Sequence, residues 1–297
     1  MLEIAGIKVE DTYCEAFDGL FSRILITARD VKRLRKAALS ATALPSTVFD
    51  ESEGGVEKWV EKDETPDKRK GAIAQIWVNY GKNAPEKLEH EVAKRIRQGV
   101  LVVPTASVFN ALKSAERFDA MEKIGHCGDG YETLETRFGR EVINIPLMMG
   151  EFLIERYLGY AKGVMGGNIW FFCETQDAAL EVGDKAVEAV AKIDGAITSF
   201  DVCSAGSKVE TKYPEIGPTT NHPYCPTLRT IIKDSMVPKG VVSIPEIVIN
   251  GISLDAVRDA MKAAMLSAAG VSGVVKISAG NYGGKLGRYK IYLRDML

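Results

Sequence analysis

The sequence predicts an α+β protein built from two duplicated ferredoxin-like (split β-α-β) lobes with predominantly antiparallel sheets. Two observations carry this: each half reads strand–helix–strand twice over, and the matching strands are similarly spaced. Gln75-Ile76-Trp77-Val78-Asn79 precedes a helical stretch from Pro85 to Gln98 and then the strand 101–107. In the second half, Glu246-Ile247-Val248-Ile249-Asn250 precedes a helical stretch from Ser253 to Ala268 and the last long strand. Asn79 to Thr105 spans 26 residues and Asn250 to Ser278 spans 28. Upstream, Arg23 to Ala28 and a helix over 31–43 parallel Asn168 to Cys173 and a helix over 177–193. Two short strands can match by chance; the shared order of four segments favours duplication. The expected division is 1–149 for an N-terminal (proximal) lobe and 150–297 for a C-terminal (distal) lobe.

Local signals justify each element in turn. Asp30 suits an N-cap for a helix that places Val31, Leu34 and Ala38 on one face. Pro85 suits a first helical turn, Leu88, Val92 and Ile96 recur four apart, and Gly99 is placed to end the helix. Ser253 suits a cap for a helix whose Val257, Met261, Ala264 and Met265 form a buried stripe. Two segments fall outside the repeat. Residues 51–70, dense in charge around Pro66, read as a solvated excursion, which serves function or subunit contact or is a plain surface insertion. Residues 112–140 contain the tight turn Gly128-Asp129-Gly130-Tyr131, and serve either function or subunit contact, or are a plain surface insertion.

Composition narrows the function. The 297 residues, 46% hydrophobic, suffice for two cores. A net charge of −2 gives no electrostatic footprint for nucleic acid. No segment approaches the roughly 20 apolar residues of a membrane span. Residues 1–8 show no signal pattern, so the expected location is cytoplasmic. Five cysteines without a CxxC pair fit free thiols, and His126-Cys127 and His222-Pro223-Tyr224-Cys225 lack the paired spacing of a zinc site. No metal and no histidine-based triad are expected.

The chemistry concentrates in the second half. In Ser278-Ala279-Gly280-Asn281-Tyr282-Gly283-Gly284-Lys285-Leu286-Gly287, glycines allow successive N–H groups to converge on an anion. The run is no nucleotide-triphosphate loop, because Ala279 and Leu286 stand where that loop needs Gly and Ser or Thr. Gly163 to Asn168 and Gly206-Ser207-Lys208-Val209 are further small polar turns. Lys208, Lys212, Lys276 and Lys285 lie at or beside these turns, either solvated or facing an anionic ligand. Glu246 sits in an apolar strand where its counterpart is Gln75. It either faces water on an edge strand, or is buried with a raised pKa and able to exchange a proton near neutral pH.

These motifs closely resemble the formylmethanofuran:tetrahydromethanopterin formyltransferases, over essentially the whole chain. The likeness extends to Val9-Glu10-Asp11-Thr12, Pro104-Thr105-Ala106-Ser107, Gly150-Glu151-Phe152 and Gly166-Gly167-Asn168. It implies α/β-sandwich lobes, assembly as a homotetramer (a dimer of dimers), and formyl transfer from formylmethanofuran to N5 of tetrahydromethanopterin. The two carriers are then co-substrates, with no permanently bound cofactor, metal or covalent intermediate. By this resemblance protonated Glu246 stabilises the tetrahedral oxyanion and shuttles the proton to the leaving amine. Asn281 and the backbone of Gly280 to Gly284 orient the formyl group or support the oxyanion. Gly166, Gly167, Asn168, Ser207, Lys208, Lys212, Ser278, Gly280, Tyr282, Gly283, Gly284 and Lys285 contact the carriers, the lysines meeting their acidic tails. The implied alternatives are a subunit of a bacterial formyltransferase/hydrolase complex, or a non-catalytic pterin-binding scaffold.

Overall fold

Strand β1 (Tyr13–Thr27) is largely apolar and buried on both faces and then gives way at Asp30, whose carboxylate accepts a hydrogen bond from Arg33 N (3.0 Å) and starts helix α1 (Val31–Thr42). Next come β2 (Ser52–Val60), β3 (Gly71–Asn79), α2 (Ala84–Arg95) and β4 (Ser107–Asn110). The computed structural model describes residues 2–297, and these elements dominate one of its two compact units, Gly19–Gly163. The other unit comprises the chain up to Asp18 together with Val164–Leu297. It is organised by β5 (Tyr157–Cys173), α3 (Gln176–Val190), β6 (Ala196–Thr198), β7 (Glu246–Gly251), α4 (Leu254–Ser267) and β8 (Val274–Ser278).

The compact division differs from the expected single cut after residue 149. β5 is one continuous strand that starts in one unit and ends in the other. The first 18 residues belong with the C-terminal unit for a pairing reason. Ile7–Val9 adds in parallel to β8, and Tyr289–Tyr292 pairs antiparallel with the start of β1.

In unit 19–163 the strand order is β4–β1–β3–β2, antiparallel throughout. A three-stranded extension continues it through Gly150–Glu155, parallel to β4, then Arg140–Leu147 and Thr133–Arg137. In the second unit the order is β8–β5–β7–β6, again antiparallel. The sheets are thus mostly antiparallel, as expected. The helix stripes are buried as their spacing predicts: Leu88, Val92 and Ile96 in one core, Val257, Met261, Ala264 and Met265 in the other. Burying each large aliphatic side chain contributes about 1.5–3 kcal/mol, so these stripes decide how the helices dock. Among the described residues, no helix is long and apolar enough to cross a membrane.

Three sequence expectations need correction. Gly99 does not end its helix: after α2 the chain continues through a π-helical turn, Ile96–Val100. Ile96 and Val100 are fully buried, and a Cβ on Gly99 would stand 2.9 Å from the Ala41 nitrogen, so glycine there permits close helix approach. The following strand consequently begins at Ser107, not at residue 101. Residues 51–70 are a solvated excursion only in their second half, where 61–70 are mostly exposed; β2 occupies the first half, and Glu53 and Glu57 are buried. Their charges are met internally: Arg23 clamps Glu57 through Nε (2.6 Å) and Nη2 (2.5 Å), and Thr47 donates to Glu53 (2.9 Å). In 112–140 the expected turn is present, with Asp129 and Gly130 both at positive φ, but the segment also holds the strand Arg117–Asp119 and the short helix Ala120–Lys123.

Candidate active site

The central strand of the second unit aligns the reactive candidates. On β5, Trp170 lies between Glu246 of β7 on one side and Ser278 of β8 on the other. Its indole Nε1 donates to Glu246 Oε1 at 2.9 Å. Glu246 also exchanges two backbone hydrogen bonds with Cys203, both 2.8 Å, which ties the 203–206 segment to the strand. A cavity of about 500 Å³ opens here, walled by Trp170, Cys203, Gly206, Asn221, Tyr224 and Glu246 among others. That volume is within the range of small-molecule sites.

Burial pushes the Glu246 carboxyl above the ordinary carboxylate range, against the opposing hydrogen bonds from Trp170 and Cys203. The edge-strand alternative for Glu246 fails, since the residue pairs with Trp170 of β5 on one side and with Cys203 on the other. Tyr224 stands edge-on to Trp170 (centroids 4.7 Å) and Phe172 (6.2 Å). Burial, with Glu10 nearby, holds its phenol above the usual value. Glu10 accepts from Ser278 Oγ (2.7 Å) and Lys276 Nζ (3.0 Å), and these partners outweigh its burial and keep it ionised.

The other expected site residues divide into two sets. Asn168 is 8% exposed and faces the glycine loop: Oδ1 accepts from Gly280 N (2.6 Å) and Nδ2 donates to Gly280 O (3.3 Å). A Cβ on Gly280 would lie 2.5 Å from the Trp170 ring, so the loop rests directly on the indole that holds Glu246. Gly166 N donates to Asn250 (3.0 Å), and Gly167 lets β5 approach Val257 on α4. Ser207 pairs with Thr220 and Lys208 with Thr219, and the Ser207 hydroxyl meets the Tyr282 phenol. Lys212 and Lys285 are exposed; with Lys208 they make no ion pair among the described residues.

The glycine loop departs most from expectation. Its N–H groups do not point at free space. Tyr282 (2.8 Å), Gly284, Leu286 (3.0 Å) and Gly287 (2.6 Å) all donate to the carboxylate of Glu15. Gly283 N donates to Asn281 Oδ1 (3.0 Å), while Asn281 Nδ2 reaches Thr12 Oγ1 (3.3 Å) and Tyr13 O (3.2 Å). The Asn281 side chain and the N–H groups of Gly280, Tyr282, Gly283 and Gly284 are therefore engaged within the chain, and this geometry lends no support to the oxyanion role expected of those N–H groups. Of the expected residues, only Glu246 lines the cavity. Sequence reading missed Glu15, Trp170, Cys203 and Tyr224. An acidic residue between the apolar Cys14 and Ala16 was a usable signal for the first. Among the described residues, no cluster of three or more His, Cys, Asp or Glu is placed to hold a metal ion.

Residues 2–147 match the family model described as formylmethanofuran-tetrahydromethanopterin formyltransferase, and 150–296 match "FTR, proximal lobe". The proximal label thus falls on the C-terminal segment, the reverse of the expected naming. A formyltransferase-like protein of Archaeoglobus fulgidus is 62% identical, covering 100% of this chain and 99% of its own. The formyltransferase of Methanocaldococcus jannaschii is 43% identical over 99% of both chains. A. fulgidus also has a protein named as the formyltransferase itself, 39% identical over 99% of this chain and 100% of its own. Among solved structures, the Methanosarcina barkeri enzyme superposes with a TM-score of 0.93 at 38% identity, covering both chains fully. A chain of the Methylorubrum extorquens formyltransferase/hydrolase complex, solved with methylofuran, gives 0.92 at 33%, covering 100% of this chain and 98% of its own.

Proposed function

Because the chain belongs to the formylmethanofuran–tetrahydromethanopterin formyltransferase family, we propose that it moves a formyl group from formylmethanofuran to N5 of tetrahydromethanopterin by direct amide exchange. N5 attacks the formamide carbon, a C–N bond forms, and charge develops on the carbonyl oxygen. The bond to the original amine then breaks, and the proton that left N5 ends on that amine. No metal or covalent intermediate enters this scheme. The observation that carries the reading is Glu246: a carboxyl whose pKa is raised by burial, oriented by the Trp170 N–H, on the wall of a cavity. Neutral Glu246 donates to the oxyanion, gives its proton to the departing amine and recovers one from N5. Positioning N5 against the carbonyl carbon supplies the larger part of the acceleration, up to about 7–11 kcal/mol.

Ser207 with Tyr282, and the cations Lys208, Lys212 and Lys285, are proposed to contact the carriers and their acidic tails; Asn168, Gly166, Gly167, Ser278, Gly280, Gly283 and Gly284 shape that surface. We also propose that the two units are copies of one ferredoxin-like lobe, a reading supported by their identical strand order and antiparallel pairing. A cytoplasmic homotetramer is proposed by likeness to the family, and light scattering of the purified protein tests the assembly.

The names of the relatives differ within one organism. In A. fulgidus the relative more similar to this chain is named formyltransferase-like, beside another named as the enzyme. A pterin-binding subunit without its own turnover is the corresponding alternative. Formyl transfer by the purified chain alone, from formylmethanofuran to tetrahydromethanopterin with chelator present, separates the two. Turnover supports the enzyme. Binding of both carriers without turnover supports the subunit.

A further inference from the structure

The glycine loop is filled by the chain's own carboxylate. Glu15 is 1% exposed, and four backbone N–H groups from 282–287 converge on its two oxygens, at least 267 residues further along the chain. The sequence is shaped to allow this. A Cβ on Gly287 would stand 2.5 Å from Glu15 Cβ, and Gly283 and Gly284 adopt positive φ. The loop is thus an anion nest whose anion is covalently supplied. The same loop carries Tyr282, which packs on Phe17 (centroids 6.1 Å) and reaches Ser207, within electrostatic range of Glu246.

We propose that Glu15 is the organising anion of the C-terminal glycine loop and, through it, the residue that positions Tyr282 and Ser207 beside the Glu246 cavity. Without the carboxylate, four N–H donors lose their common acceptor, and Tyr282 is left with only its contacts to Phe17 and Ser207 and the loop with its ties through Asn168 and Asn281. The loop half of this proposal stands on geometry alone, whereas its catalytic half rests on the function proposed above.

Glu15→Ala tests both halves, because the fragment it removes from the nest corresponds to acetate. In thermal melts, acetate is expected to raise the Tm of Glu15→Ala and leave the wild-type Tm unmoved. In transfer assays, kcat/KM is expected to fall roughly tenfold or more and to recover in part with acetate. Tyr282→Phe separates positioning from plain stability. If Glu15 acts through Tyr282, Glu15→Ala adds little to the loss already present in Tyr282→Phe. Additive losses would overturn the positioning role, and a Glu15→Ala melt indifferent to acetate would overturn the nest. If Glu15→Ala does not fold, Glu15→Asp, one methylene shorter, is expected to lower Tm and kcat/KM in the same direction; wild-type values there overturn the proposal. Absence of transfer by the wild type would count against the proposed function while the melts still test the loop.

Discussion

Gln75 in unit 19–163 and Glu246 in the other occupy the same place in the strand order, on the third strand of each four-stranded set, yet their surroundings differ in kind. Gln75 is fully buried and closed. Its Nε2 donates to Glu57 (2.8 Å), its Oε1 accepts from Trp77 Nε1 (2.9 Å), and its register partner Arg23 neutralises Glu57. Glu246 has Trp170 as register partner, no cation beside it among the described residues, and a cavity in front. An equivalent position therefore yields a structural network in one unit and a titratable group in the other. What decides is which neighbouring polar groups are already satisfied, and the strand order alone does not reveal that.

The largest expected effect comes from making the second site resemble the first. Glu246→Gln keeps the shape and the acceptor for Trp170 but cannot release a proton, and turnover is expected to fall about 100- to 1000-fold with the fold intact by circular dichroism. Making the first site resemble the second is expected to harm stability only. Gln75→Glu sets a second carboxyl against Glu57 and is expected to cost about 3 kcal/mol in denaturant unfolding, with no gain of transfer when combined with Glu246→Gln.

Smaller effects sharpen the comparison. Trp170→Phe removes the N–H that lowers the Glu246 pKa, so the alkaline limb of the rate profile is expected to move to higher pH, with kcat falling roughly tenfold. The smallest change concerns acid stability. Burial alone would raise the Glu15 pKa, but its four backbone donors hold it below the ordinary value. Its stabilising contribution is thus present above the unfolded carboxylate pKa and lost as pH falls through the lower folded value. Glu15→Gln is expected to cost about 1–3 kcal/mol at neutral pH, and its melting curve to converge on that of the wild type in acid.

The parts legible in the sequence were those governed by near neighbours. The caps Asp30 and Ser253 and the four-residue spacing of Leu88, Val92 and Ile96 identified helices that are present. Glu246 stood out because a carboxyl in an apolar strand is unusual at any distance. The hidden parts depend on remote partners. Glu53 and Glu57 read as solvated until Thr47 and Arg23 are seen to meet them, and Gly99 read as a terminator until α1 is packed against it. The glycine loop read as an open anion site because its anion, Glu15, lies at the other end of the chain.

The most direct test of the central claim is the pH dependence of kcat for the purified chain, compared with Glu246→Gln. The wild-type rate is expected to decline as pH rises through a pKa above the ordinary glutamate value, and the variant to be much slower and to lack this limb. An identical profile in both proteins would contradict the claim.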